Sequence, residues 1–127
     1  MMIRQNTLGL RTAQALCLFL FLMPMAAQGH AYPDHADPKV GATITTPPAV
    51  VRIWFDSDLE PVFSSIMVHA SKDNAMVDKR DGRVDPSDPT LLEVSVPILP
   101  PGDYIVYWSV VARDGHRTSG NYTFKIK

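Results

Sequence analysis

The sequence predicts an all-β fold, an immunoglobulin-like antiparallel β-sandwich of the Greek-key barrel type. Short runs of β-branched and aromatic residues are separated by turn-rich segments, a pattern typical of strands. No segment carries a helical period of apolar residues over three turns. Eleven prolines are scattered between the runs, and proline disfavours helix interiors. These observations favour two packed sheets of short strands.

Five segments have strand character, and turn residues separate them. The most apolar, residues 103–111, follows Pro100-Pro101-Gly102 and is apolar on both faces, which predicts a central strand. The turn Arg113-Asp114-Gly115-His116 then leads the chain into a hairpin partner. In chain order the predicted strands are residues 50–55, 65–70, 91–96, 103–111 and 119–126.

Residues 74–90 interrupt this pattern. They alternate charges and contain two Asp-Pro steps, which predicts a solvated loop with a short hairpin at Asp81-Gly82. Their acidic residues do not follow the spacing of a calcium-binding loop. A solvated surface therefore explains them better than a calcium site.

The first 29 residues are organised as a secretory signal peptide. Arg4 and Arg11 supply positive charge, residues 13–25 are apolar, and Ala27-Gln28-Gly29 is a small-x-small cleavage site. Cleavage after Gly29 leaves residues 30–127 as one exported domain, whereas the alternative cut would leave Gln28 first. The apolar run is short for a bilayer and no second one follows, so the mature chain is expected to lack a transmembrane segment.

Charge and cysteine content limit the classes of partner and chemistry that we expect for this protein. The formal net charge is −1, and loss of Arg4 and Arg11 makes the remaining domain more acidic. Nucleic acids and anionic membranes favour basic surfaces, so neither is an expected partner. The one cysteine, Cys17, lies in the predicted signal peptide. No phosphate-binding loop or nucleophile motif is present.

Cleavage before His30 would create an N-terminal histidine, whose α-amine and ring Nδ1 can chelate one metal ion. Because the two nitrogens are already close, the second bond costs less entropy than separate ligands would. His116 is the natural third nitrogen ligand. Asp114 lies two residues earlier, and in extended backbone the two side chains project to one side, with Gly115 supplying backbone freedom.

Nitrogen and carboxylate donors suit tetragonal Cu(II). Cu(I) prefers sulfur ligands, and after the predicted cleavage only Met67 and Met76 remain, separated in sequence, so a Cu(I) site is not expected. Each feature also has an ordinary interpretation, because Asp-Gly-His is a common turn and lone histidines are usually surface or core residues. His69 is interpreted as structural or surface. His35 could lie near the metal as a supporting or substitute ligand, but this is the less favoured interpretation.

These residues belong to a longer pattern that is specific towards the C-terminus. Its members are His30-Ala31, Pro38, Gly41, Gly102-Asp103-Tyr104, residues 108–116, Ser119-Gly120 and Phe124. With this pattern the chain resembles the CopC-type periplasmic copper-resistance proteins over essentially all of residues 30–127. The resemblance implies an immunoglobulin-like domain that holds one Cu(II) ion through the amine and Nδ1 of His30, the ring of His116 and the carboxylate of Asp114. The Met-rich segment that gives some relatives a Cu(I) site is missing.

The resemblance implies a periplasmic protein, not an enzyme, that buffers or carries copper. Its expected partners are the copper ion and a copper-transporting inner-membrane protein or another periplasmic copper protein. Two alternatives stay open. One is a copper-dependent oxidative enzyme that uses the same N-terminal histidine. The other is a plain immunoglobulin-like interaction module in which His30 and residues 114–116 never meet.

Overall fold

The computed structural model describes residues 30–127, and the predicted signal peptide, residues 1–29, lies outside them. The described part forms eight strands and one 3-10 helix, and within it no helix is long and apolar enough to cross a membrane. The 3-10 helix, Pro61–Phe63, lies between the third and fourth strands. The strands are β1 (Pro33–Asp37), β2 (Thr43–Ile44), β3 (Val50–Phe55), β4 (Ser65–Ala70), β5 (Arg83–Asp85), β6 (Asp88–Ser95), β7 (Gly102–Val111) and β8 (Arg117–Ile126).

Two four-stranded sheets form the domain, which confirms the predicted sandwich. The first sheet has the strand order β1-β3-β6-β5 and the second has the order β2-β8-β7-β4. Neighbouring strands are antiparallel except β2 and β8, which pair in parallel. Strand β7 lies between β8 and β4, so the prediction of a central strand is confirmed.

The hydrophobic core is contributed by both sheets, because alternate side chains of each strand point inward. In β3, Val51, Ile53 and Phe55 are buried, whereas the residues between them are partly exposed. Val106 of β7 belongs to the same buried cluster from the second sheet. Ala31, just before β1, is fully buried in this cluster, which fixes the point at which the chain enters the fold.

Strands β1 and β2 and one turn differ from the sequence-based expectation. Strand β1 is mostly polar and exposed and pairs with β3 through its backbone, so apolar alternation does not reveal it. The expected hairpin at Asp81-Gly82 is wrong, because β5 and β6 are joined by a turn between Asp85 and Asp88. Asp85 Oδ1 accepts a hydrogen bond from the Ser87 backbone N–H at 2.8 Å and thereby closes that turn. Residues 74–90 are therefore not a single loop.

Gly120 on β8 is required by the close approach of Trp108 on β7. A Cβ atom at residue 120 would lie 2.7 Å from Trp108 Cζ2. The indole also packs edge-to-face against Phe55, with 5.2 Å between ring centroids. Because the ring must leave a packed position, we expect Gly120→Ala to lower the free energy of unfolding by about 1–3 kcal/mol in chemical denaturation.

The matched control for this prediction is Asn121→Ala, at the exposed neighbouring position of β8. It should change the free energy of unfolding by less than about 0.5 kcal/mol. Equal losses in the two variants would show that the contact with Trp108 is not the cause.

Candidate metal centre

The segment that carries His30 is held in place by the two residues that follow it. Ala31 is fully buried, and its carbonyl oxygen accepts a hydrogen bond from Thr118 Oγ1 at 2.6 Å. The Tyr32 N–H donates to Asp56 Oδ1 at 2.8 Å, and the Asp56 N–H donates to the Tyr32 carbonyl at 3.0 Å. The chain therefore leaves His30 at a defined place on the surface.

The segment that carries His116 is a tight turn between β7 and β8. Buried Ala112 opens it, and the Ala112 N–H donates to the His116 carbonyl at 3.0 Å. The Gly115 N–H donates back to the Ala112 carbonyl at 2.9 Å. Gly115 has a φ of +90°, a left-handed conformation that favours glycine, so this position needs a residue without a side chain.

The two histidines meet at the surface. The rings of His30 and His116 are stacked, with 4.7 Å between centroids and 8° between planes. The Tyr32 ring continues this arrangement, parallel to His30 with 6.1 Å between centroids. Two imidazoles from distant parts of the described chain are therefore direct neighbours at this surface. This stacking contradicts the alternative of an interaction module in which His30 and residues 114–116 lie apart.

Asp114 directs both of its carboxylate oxygens at His116. Oδ1 accepts the His116 backbone N–H at 3.0 Å, and Oδ2 pairs with the ring Nδ1 at 2.9 Å. These hydrogen bonds, that of the ring first, hold the pKa of Asp114 below its usual range. An ionised carboxylate only accepts hydrogen bonds, so Nδ1 is the ring nitrogen of His116 that donates here, and Nε2 is the ring nitrogen left for another partner.

The route by which Asp114 and His116 converge differs from the expectation. Extended backbone was expected to project both side chains to one side, but residues 113–115 form a turn rather than strand. The backbone hydrogen bond from His116 to the Asp114 side chain creates the contact instead. The two residues are neighbours because of turn chemistry, not strand alternation.

Side chains alone do not complete a metal cage. Among residues 30–127, no set of three or more His, Cys, Asp or Glu side chains is placed to hold a metal ion. Two imidazoles and one carboxylate already engaged with His116 are the donors present at this surface. A free amine at residue 30 would add a third nitrogen on the same residue as one of the imidazoles.

The two other histidines lie in different surroundings. His35 stacks on Trp54 with 4.4 Å between ring centroids, and its Nδ1 contacts Asp34 Oδ2 at 2.7 Å. His69 contacts Asn74 Oδ1 through its Nδ1 at 3.0 Å and packs edge-to-face on a tyrosine. In the contacts found within residues 30–127, neither histidine meets His30 or His116.

Met67 and Met76 come closer together than their sequence separation indicates. His69 and Met76 form an isolated antiparallel bridge, so Met76 lies beside β4, the strand that also carries Met67. Both thioether side chains are partly exposed and line one shallow surface cavity. Their separation in sequence therefore does not show that the two thioethers are far apart in the structure.

Comparison with known proteins identifies relatives along the whole domain. The family model of the CopC domain matches residues 34–127. The protein YobA of Escherichia coli K12 is 30% identical over 119 residues, which cover 94% of this chain and 95% of YobA. The copper transport protein CutJ of Bacillus subtilis is 31% identical over 112 residues, which are 87% of this chain but only 20% of CutJ.

Solved structures have the same fold. The crystal structure of CopC from Methylosinus trichosporium OB3b is similar with a TM-score of 0.71 and 28% identity, covering 77% of this chain and 94% of that one. PcoC, a methionine-rich copper resistance protein from Escherichia coli, has a TM-score of 0.66 and 27% identity, covering 78% of this chain and 100% of PcoC. From the match of the family model across both sheets and the agreement in fold, the chain belongs to the CopC family.

Proposed function

We propose that this protein is a periplasmic Cu(II)-binding protein that buffers or carries copper, and that it holds one ion per chain. The observation that carries the proposal is the stacking of His30 on His116 at the surface. These two residues come from opposite ends of the domain, and imidazole is a ligand that suits divalent copper. The names of its relatives, a copper resistance protein and a copper transport protein, support copper as the ligand.

The proposed site forms when residues 1–29 are removed as a signal peptide. Cleavage turns the backbone nitrogen of His30 into an amine that chelates copper together with the ring Nδ1. His116 supplies Nε2, since its Nδ1 faces the carboxylate of Asp114. Asp114 supplies negative charge beside the ion and holds the His116 ring, as carboxylates commonly do for metal-binding histidines.

A partner that receives or supplies the copper is also proposed. CutJ contains a region similar to this chain as one fifth of its length and is named as a copper transport protein. That arrangement supports a protein of copper transport as the partner of this domain, and we propose that this partner is a copper-transporting inner-membrane protein or another periplasmic copper protein. Binding and transfer of an ion require no bond-making chemistry on a substrate, so the protein is proposed to act as a copper carrier rather than an enzyme.

A chelator-competed Cu(II) titration tests the function. The full chain is exported from a bacterial host, and mass spectrometry verifies that His30 is the first residue. We expect one tight equivalent of Cu(II) and no oxygen consumption above that of free copper when a reductant is added. Weak binding would contradict the copper proposal, whereas copper-dependent oxygen turnover would favour the oxidative enzyme.

Binding is expected to weaken as the pH falls. Protons compete with copper for amine and imidazole nitrogens, whose ordinary pKa values are about 7.7–8.0 and 6.5. The pKa of Asp114 lies below its ordinary value of 3.8, because His116 donates hydrogen bonds to it, so this carboxylate stays ionised from about pH 5 to 8. We therefore expect Asp114→Asn to raise the Kd roughly tenfold at every pH in that range.

Titrations at several pH values between about 5 and 8 check both parts of this prediction. The wild-type and Asp114→Asn proteins should give parallel plots of log Kd against pH. A flat wild-type plot would contradict ligation by the amine and imidazoles. A different slope for the variant would show that the carboxylate changes how protons compete with copper at the ligand nitrogens, and would contradict an effect of Asp114 that is the same at every pH.

A further inference from the structure

One side chain of the second sheet joins the two segments that carry the proposed site. Thr118 Oγ1 donates to the carbonyl oxygen of Ala31 across 87 residues of sequence. Ala31 adjoins His30, and Thr118 lies two residues after His116. We propose that Thr118 is a positioning residue for copper, which sets the place of the N-terminal residue relative to the His116 ring. This inference rests on the proposed copper function.

The sheets explain why this bond matters. The other side-chain hydrogen bond of the entering segment runs from Tyr32 to Asp56, at the end of β3 in the first sheet. His116 belongs to the turn that precedes β8 in the second sheet. Thr118 lies on β8 itself, so its hydrogen bond ties the entering segment to the sheet that holds His116.

Burial makes the bond more than a surface contact. The Ala31 side chain is fully enclosed, and the bond to Thr118 is partly buried with an O–O distance of 2.6 Å. Removing a donor leaves a carbonyl group without its partner in a region from which water is partly excluded. The Ala31–Tyr32 peptide would then be held only through its N–H, which donates to Asp56 Oδ1, and a chelate built on a less restrained segment loses part of the advantage of preorganisation.

Three variants isolate this role. Thr118→Val keeps the shape of the side chain but removes the hydroxyl, Thr118→Ser keeps the hydroxyl, and Thr123→Val makes the same change at an exposed position of β8. In protein that begins with His30, we expect Thr118→Val to raise the Kd for Cu(II) about tenfold. We expect Thr118→Ser and Thr123→Val to stay within about twofold of the wild type.

Two further readouts separate positioning from general stability. The electron paramagnetic resonance spectrum of bound Cu(II) should change in Thr118→Val and not in Thr123→Val. In the metal-free protein, nuclear Overhauser contacts between the rings of His30 and His116, 4.7 Å apart in the structure, should weaken in Thr118→Val alone. A lower melting temperature without any of these changes would overturn the positioning role.

The outcomes also distinguish this inference from the proposed function. Tight binding by the wild type, with an unchanged Kd and unchanged ring contacts in Thr118→Val, overturns the inference and leaves the function standing. Weak binding by the wild type overturns the copper function and with it a role in copper positioning. Loss of ring contacts in metal-free Thr118→Val would then show only that the hydroxyl orders the N-terminal segment.

Discussion

Protein that carries one additional residue before His30 is expected to bind Cu(II) at least about 100-fold more weakly than protein that begins with His30. The extra peptide bond converts the amine into an amide, which is a poor donor, and it breaks the chelate formed by the amine and the ring Nδ1. The new terminal amine lies one residue further from the ring, so the donors that keep their places at the surface are two imidazoles and a carboxylate.

The comparison uses two preparations of the same domain. One is exported and processed so that His30 is first, and the other is residues 30–127 made in the cytoplasm with an initiator methionine retained before His30. All eight strands lie within residues 33–126, so both preparations should unfold at the same temperature without metal. Equal Kd values in chelator competition would contradict ligation by the N-terminal amine.

Replacement of His116 by alanine is expected to produce the second large effect. His116→Ala removes a proposed nitrogen ligand and the ring on which His30 stacks. We expect the Kd for Cu(II) to rise roughly 10- to 100-fold in the same chelator competition. The exposed position of the side chain, 55% accessible, means that folding should be little affected.

His35→Ala is the matched control for this substitution. The His35 side chain is 59% accessible and its contacts are with Asp34 and Trp54 rather than with the proposed site. Its replacement should leave the Kd within about twofold of the wild type. A larger loss of affinity in His35→Ala than in His116→Ala would move the copper site towards β1.

Strands with apolar alternation could be predicted from the sequence. Strands β3 and β4 have the predicted bounds, and β7 and β8 differ from them by one and two residues at their starts. The buried side chains of each of these strands lie at alternate positions, on one face, and that periodicity is what a sequence displays. Strand β1 is an exposed edge that is held by backbone pairing, so its polar residues carried no such signal.

The residue types of the candidate site could be predicted, but its geometry could not. His30, Asp114 and His116 follow from the cleavage site and the Asp-Gly-His sequence. Beside the site, Ala31 is buried and its carbonyl accepts a hydrogen bond from the Thr118 hydroxyl, two features of tertiary structure that local patterns do not encode. The bridge between His69 and Met76 could likewise not be predicted from the sequence, because it depends on how the chain after β4 folds back beside that strand.

The most direct test of the copper site identifies the element and residue type of the ligands. All three proposed nitrogen ligands, the amine and Nδ1 of His30 and Nε2 of His116, belong to histidine residues. The processed protein is loaded with one equivalent of Cu(II) and studied by electron paramagnetic resonance, with ¹⁵N either in histidine alone or in every residue except histidine. We predict that the nitrogen hyperfine pattern changes fully with labelled histidine and not at all in the complementary sample. A pattern that responds to the complementary labelling would place a non-histidine nitrogen, such as a backbone amide, on the copper and would contradict the proposed site.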